Sequence, residues 1–388
     1  MKRLIRLVAA ALVSALVVAV AVSAGGCAKK PAETIKIGVQ APLTGDWAYE
    51  GQGILNAVNL LAEQVNSSGG LLGGRQVEVI SADDKSDAKE AALAAQKLIN
   101  SNVIAVIGSY ASTLTEAAQG LYDEKGIVQI TPSSTATRLS EHGYKRFFRT
   151  CFLDDRQGLF AAKFIVETLG CKKVAVVHDN TTYAKGLADW TKKYLEDEGA
   201  TVVFFDAVTP GERDYTAILT RLKAAAPEAW YYTGYYPEAA LLVRQAHDVG
   251  LKAQFVAGNA VNNPEFVTLA GVEYAKGAIV TTEPLPSDLN YPEATKFLDD
   301  YKAKYGKSAD SIWTLMAADA FRLIVKAITD TNSDDPAKIA DYLHTQLKDF
   351  PGITGPILGF DEKGDRLGTI HKAYVVDDQG HFVPYPGK

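Results

Sequence analysis

From residue 34 onward the chain alternates between two textures. Short Val- and Ile-rich runs bounded by Gly, Pro, Asn or Asp read as buried strands. Longer stretches with an apolar residue every three or four positions read as helices. The first half predicts strands at 34–40, 75–82, 104–107, 128–130 and 147–150, with helices at 51–65, 87–100 and 113–125. The rhythm restarts at Asp154, with strands at 173–178, 201–205, 229–233, near Phe255 and at 278–282, and helices at 156–169, 185–198, 215–225 and 237–249. Helical text returns at 291–305, 311–329 and 336–350, and the chain closes with a strand pair around Gly364 and Gly380. Near-continuous apolar strands alternating with helices imply parallel sheets covered on both faces.

The pattern therefore predicts an α/β protein with two doubly wound lobes. The late helices exceed what either set of strands can absorb alone, so the chain is expected to cross between lobes near residues 152, 282 and 360. Lobe 1 would hold 34–152 and 283–360, and lobe 2 would hold 153–282 and 361–388. Three crossings form a hinge, and a cleft between two such lobes can enclose a ligand by closing.

Composition narrows the class of function. A length of 388 residues suits two or three domains. A 47% hydrophobic and 22% charged composition, with a mean hydropathy of -0.03, excludes a disordered chain, a collagen and a multi-span transporter. The net charge of -6 argues against a general nucleic-acid partner, which would favour a basic surface.

The first residues read as an address. Lys2, Arg3 and Arg6 precede an apolar run over 7–22, and Ala24, Gly25 and Gly26 lead into Cys27. This pattern predicts a signal peptide over 1–26. Gly-Cys after small residues resembles a bacterial lipobox, although Ala24 stands where leucine is usual. The resemblance implies acylation of Cys27, a tether over 27–33 and a protein held by a lipid anchor in the periplasm or on the outer cell surface. The alternative is an uncleaved membrane anchor, since ~20 apolar residues span a bilayer.

Cys151 and Cys171 are the remaining cysteines. The helix predicted between them separates their Cα atoms by ~20 Å, whereas a disulfide needs ~4.4–6.8 Å, so both are expected to be free thiols. The six histidines never recur at i, i+4 and have no neighbouring Cys, so no metal site is expected. Neither Gly-x-Ser-x-Gly nor a phosphate-binding Gly-x4-Gly-Lys motif is present. Gly51-Gln52-Gly53 opens like a dinucleotide fingerprint, but Asn56 occupies the third glycine position, so the run reads as a helix start and no cofactor is expected.

The informative segments are where strands hand over to helices, because first-turn amides there point outward without a partner. Thr113 and Glu116 fit a capping box, which leaves Ser112 with a free hydroxyl at the helix mouth. A second mouth carries Ser133, Ser134 and Thr135 behind Pro132. Together they could form a socket for a small anion such as a carboxylate, or simply cap helices. Tyr231, Tyr232 and Trp313 read as core.

Across 34–388, a series of motifs is similar, in order and spacing, to one family. The motifs are Gly38 to Gly45, Asp83-Asp84, Ile107-Gly108, Gly126-Ile127, Ile130-Thr131-Pro132, Phe148-Arg149-Thr150, Val177-His178-Asp179 with Tyr183, Phe204-Phe205-Asp206, Tyr231 to Glu238 and Asp361 to Asp365. They resemble the branched-chain amino-acid-binding proteins, the leucine/isoleucine/valine-binding family, which are type I periplasmic solute receptors of ABC importers. The resemblance implies that Ser112, with Ala111 beside it, and Ser133 with Thr135 hold a ligand carboxylate, while Tyr183 and Tyr235 close from the opposite lobe. It also implies a monomer that delivers amino acids, most simply Leu, Ile or Val, to an ABC permease and its ATPase.

Two departures matter. The family commonly places an acid where this chain has Asn259, and an aromatic residue where it has Glu50. One reading gives Glu50 the missing negative charge beside the ligand ammonium, with Trp47, Tyr49 or Tyr110 as an apolar wall. The other points Glu50 to solvent at the helix start, where its charge suits the dipole. Rival functions are a same-fold sensor for small amides or carboxylates, and a cleft enzyme using Glu50 or His178 as a base, although no nucleophile–base pair is visible.

Overall fold

The computed structural model describes residues 33–386, so the predicted signal peptide and Cys27 lie outside the described residues. Strand β1 (Ile35–Ala41) leads to helix α1 (Ala48–Ser67), followed by β2 (Val77–Asp83), α2 (Ala88–Asn100), β3 (Ala105–Ile107), α3 (Ser112–Glu124), β4 (Val128–Thr131) and β5 (Phe147–Arg149). These strands form a parallel sheet in the order β2-β1-β3-β4-β5. Ile37 lies opposite Val79 on one side and Ala105 on the other.

The second sheet repeats that winding. Helix α4 (Asp154–Lys163) continues through a π-turn to Thr168, and is followed by β6 (Lys173–His178), α5 (Thr182–Asp197), β7 (Thr201–Ala207), α6 (Thr216–Ala224), β8 (Ala229–Tyr232), α7 (Tyr236–Asp248) and β9 (Gln254–Ala257). Short helices α8 (Pro264–Ala270) and α9 (Val272–Ala275) precede β10 (Ile279–Thr282). The order β7-β6-β8-β9-β10 matches that of the first sheet, and an antiparallel hairpin of β11 (Lys372–Val376) and β12 (Phe382–Pro384) extends it. In both sheets the order reverses beside the strand that starts the unit, and open α/β sheets bind ligands off the carboxyl ends of strands at such a reversal.

Three helices, α10 (Pro292–Tyr305), α11 (Ile312–Thr331) and α12 (Pro336–Thr345), return to the first sheet. Helix α11 is apolar on nearly every face and buried from Ile312 through Phe321, as expected for a helix packed between other elements. Against it lies α1, where a Cβ on Gly53 would come 2.3 Å from Thr314 Oγ1. Gly51 is equally constrained, since a Cβ there would sit 2.0 Å from the Pro42 carbonyl oxygen. The Gly-x-Gly pair thus serves close packing, and the helix begins three residues earlier than the sequence suggested.

Other boundaries also moved. The predicted helix 336–350 ends at Thr345, because Phe350 pairs with Ile357 in an isolated bridge. No strand forms at Gly364, which occupies a turn at φ +82 against Phe147; only the hairpin around Gly380 is regular. The segment through Arg366 stays with the first sheet. Asp365 pairs with Arg149 at 2.5 Å, and Arg366 donates to Thr150 O at 2.9 Å, so the last crossing lies beyond residue 360. Cys151 is buried and Cys171 half-buried, and both are free.

Candidate functional site

Residues from the carboxyl ends of five strands converge on one enclosed space. Tyr110 and Ser112 follow β3, and Ser133 follows β4; Tyr183 follows β6, Tyr235 follows β8, and Asn259 with Ala260 follows β9. Trp313, in the first turn of α11, completes the lining of a tightly closed cavity of about 10 Å³. Six of these eight residues were singled out in the sequence.

Each is held by local chemistry. Ser133 Oγ donates to Tyr110 O at 2.9 Å, and the Ala136 amide donates to Ser112 Oγ at 3.3 Å, so the two helix mouths brace each other. Behind the second mouth, the buried Arg149 guanidinium donates to Ser134 O at 2.8 Å and Ala136 O at 3.1 Å, fixing the loop from inside. On the opposite wall Tyr183 OH donates to Asn259 Oδ1 at 2.9 Å. Tyr183 can sit there because residue 258 is glycine; a Cβ would come 2.6 Å from its hydroxyl. Burial pushes the hydroxyls of Tyr110, Tyr183 and Tyr235 well up, so they remain protonated donors.

The two lobes touch around this space. Trp47 packs on Tyr235 with ring centroids 4.4 Å apart, and Tyr110 lies 6.0 Å from each. Tyr236 OH donates to Asp46 O at 2.7 Å. Thr113 and Glu116 form no capping box. Thr113 Oγ1 accepts from the Thr182 amide at 3.0 Å, and Glu116 Oε2 accepts from Thr182 Oγ1 at 2.7 Å, so both reach across to α5.

Several sequence expectations are corrected. Glu50 is buried, so it does not point to solvent, and it is not in the cavity lining either. Its oxygens accept from Asn263 Nδ2 and Ser311 Oγ, each at 2.6 Å. Burial, partly offset by those two hydrogen bonds, pushes its carboxyl up to about 7. Tyr49 lines a separate surface depression with Gly53, Tyr301 and Thr314. Ser134 Oγ turns inward to Thr115 Oγ1 at 2.8 Å, Ala111 caps α3 through its backbone, and Thr135 Oγ1 is buried facing the Asp154 carboxyl; none of the three lines the cavity. Trp313, expected only in the core, is both buried and part of the wall.

Sequence reasoning also missed two buried carboxylates. Asn259 Nδ2 donates to Glu283 Oε2 at 3.3 Å, and Asp154 begins α4 with no hydrogen bond to either carboxylate oxygen among the described residues. A lone acid in a strand-end loop carries no sequence signal for burial. His178 lies on β6 outside the lining. Among the described residues no cluster of His, Cys, Asp and Glu could hold a metal, and no helix is long and apolar enough to cross a membrane.

A family model described as periplasmic binding protein matches residues 34–379. The leucine-, isoleucine-, valine-, threonine-, and alanine-binding protein of Pseudomonas aeruginosa is 37% identical over 353 residues, 91% of this chain and 92% of that one. The Leu/Ile/Val-binding protein of Escherichia coli K12 is 37% identical over 339 residues, 87% and 89% of the two chains. Among solved structures, a leucine binding protein of Thermotoga maritima superposes with a TM-score of 0.84 at 31% identity, covering 91% of this chain and 98% of that one. A branched-chain amino acid transporter substrate binding protein of Streptococcus pneumoniae, in complex with isoleucine, gives 0.80 at 30% identity, covering 90% and 98%.

Proposed function

Because this chain belongs to the periplasmic binding protein family, among relatives named for binding leucine, isoleucine and valine, we propose that it captures a free aliphatic amino acid between its lobes and delivers it to an ABC permease and ATPase. The observation that carries this reading is the enclosed space whose polar groups come from both sheets, with Ser112 and Ser133 on one side and Tyr183, Tyr235 and Asn259 on the other. A small zwitterion bonded to both walls rewards closure. A charge-assisted hydrogen bond of ~1.5–3 kcal/mol from the Ser112 hydroxyl would anchor its carboxylate, while Ser133, which donates to Tyr110 O, holds the wall in place. Trp313 and the Tyr110 ring offer an apolar face to a Leu, Ile or Val side chain.

In this reading Ser134, Thr135 and Ala111 shape the socket loops, and Trp47 seals the entrance against Tyr235. The protein works as a monomer and breaks no bond. Residues 1–26 direct export, and acylated Cys27 anchors it on the outer side of a membrane. The hinge comprises the crossings after β5, after β10 and before β11.

A thermal-shift screen of ligand-stripped protein against the twenty amino acids tests the reading. A ligand at 100 times its Kd stabilises the folded form by about 2.7 kcal/mol. Leu, Ile or Val should raise Tm most. The reading fails if no amino acid does.

A further inference from the structure

Among the described residues that line the cavity none is charged. An ammonium enclosed there gives up its water and needs acceptors and a counter-charge. Glu50 is committed to Asn263 and Ser311, away from the lining. The lining side chain that connects the cavity to a buried acid is Asn259, and its amide is clamped at both ends. Oδ1 accepts from Tyr183 OH at 2.9 Å, and Nδ2 donates to Glu283 Oε2 at 3.3 Å.

Glu283 is fully buried. Its Oε2 also accepts from Thr282 Oγ1 at 3.3 Å, while Oε1 has no hydrogen-bond partner among the described residues. His371 Nε2 stands 4.0 Å from Oε1, but burial lowers that imidazole to about 4, so it carries no charge near neutral pH. The Arg366 guanidinium acts on Glu283 from a distance; its hydrogen bonds go to Thr150 O, Thr354 Oγ1 and Gly355 O. Asp154, the other buried acid in the neighbourhood, is pushed up to about 8 by burial and is mostly neutral at pH 7. Cys151 and Tyr231, which also face Glu283, are raised by burial and stay protonated.

We propose that Glu283 is a specificity-determining positioning residue: from behind Asn259 it supplies the negative charge that makes the cavity prefer a ligand bearing an ammonium over the same ligand without one. The assignment rests on the amino-acid reading above. A carboxylate that accepts from Nδ2 polarises the amide and enriches Oδ1, whose second lone pair is available to an ammonium N–H. The charge thus sits one hydrogen bond behind the wall rather than in it. Burial holds Glu283 at about 7 in the empty protein, so an arriving cation favours its ionised form and releases a proton near neutral pH.

The test is calorimetric titration of the wild-type exported protein, Glu283→Gln and Asp154→Asn with L-leucine and with 4-methylpentanoate, which is leucine with hydrogen in place of the ammonium. Glu283→Gln should weaken leucine roughly 10- to 100-fold and 4-methylpentanoate less than about threefold, while Asp154→Asn keeps the preference. An unchanged preference in Glu283→Gln, or its loss in Asp154→Asn alone, overturns the assignment while leaving the amino-acid reading intact. Wild-type protein that binds no leucine, nor any other amino acid, overturns both. Should Glu283→Gln fail to fold by circular dichroism, the wild type decides. Leucine titrated at pH 7 in buffers of different ionisation enthalpy should release up to about half a proton more than 4-methylpentanoate, and equal release contradicts the proposal.

Discussion

At the scale of single residues, what counts is where each strand stops. Tyr110, Ser112, Ser133, Tyr183, Tyr235 and Asn259 all sit just past strand ends; a reading of strand–helix junctions finds Ser112 and Ser133, whereas Tyr183, Tyr235 and Asn259 are found through the family resemblance. Glu50 and Trp313 sit within the first turns of long helices, and their partners, Asn263 and the cavity, are distant in sequence. No local pattern encodes such contacts. Thr113 and Glu116 show the converse error: the spacing of a capping box is present, but Thr182 offers both residues a better partner across the cleft. Trp47 packs at a tilt on Tyr235 with ring centroids 4.4 Å apart, and in the proposed reading it closes the entrance. Aromatic pairs contribute about 0.5–1.5 kcal/mol beyond their buried area. Trp47→Ala should therefore speed leucine dissociation roughly 2- to 10-fold in stopped-flow displacement, with little change in association. An unaltered off-rate would remove Trp47 from the closing contact.

At the scale of elements, alternation of strand and helix is legible because parallel strands buried on both faces are runs of Val, Ile and Ala, as in β3 and the centre of β6. The C-terminal third is less so. There β11 and β12 are short and half-exposed, and the chain from Phe350 to Arg366 is tied down by buried polar contacts that have no periodicity. The Asp319 carboxylate accepts from the Ile353 amide at 2.7 Å and the Thr354 amide at 3.0 Å, and Arg149 joins the 133–136 loop to Asp365. Removing one partner of a buried pair leaves the other charge uncompensated, at a cost of ~3–5 kcal/mol. Arg149→Ala should lower the urea unfolding free energy by about that amount. A loss under about 1 kcal/mol would show that Asp365 is neutral or resolvated in the variant.

At the scale of the whole molecule, buried carboxyls set how stability depends on pH. Burial pushes Glu50, Asp84 and Glu283 up to about 7 and Asp154 to about 8, all above their unfolded values. Between pH 8.5 and 7 the folded protein therefore binds more protons than the unfolded chain, so stability rises as pH falls. His371 is lowered to about 4 and opposes this only below the unfolded histidine value of ~6.5. Thermal unfolding of the ligand-free protein should show Tm rising between pH 8.5 and 7, by the equivalent of about 1–2 kcal/mol. A Tm that falls over that range would mean that these carboxyls are solvated.

The central claim is that the two walls of hydroxyls and amides grip one small zwitterion, and calorimetric titration of ligand-stripped protein with L-leucine reads it most directly. One saturable site with a micromolar Kd, about -8 kcal/mol, is predicted for the wild type, with at least a tenfold loss in Ser112→Ala. A flat titration, or wild-type and Ser112→Ala isotherms that coincide, would contradict it.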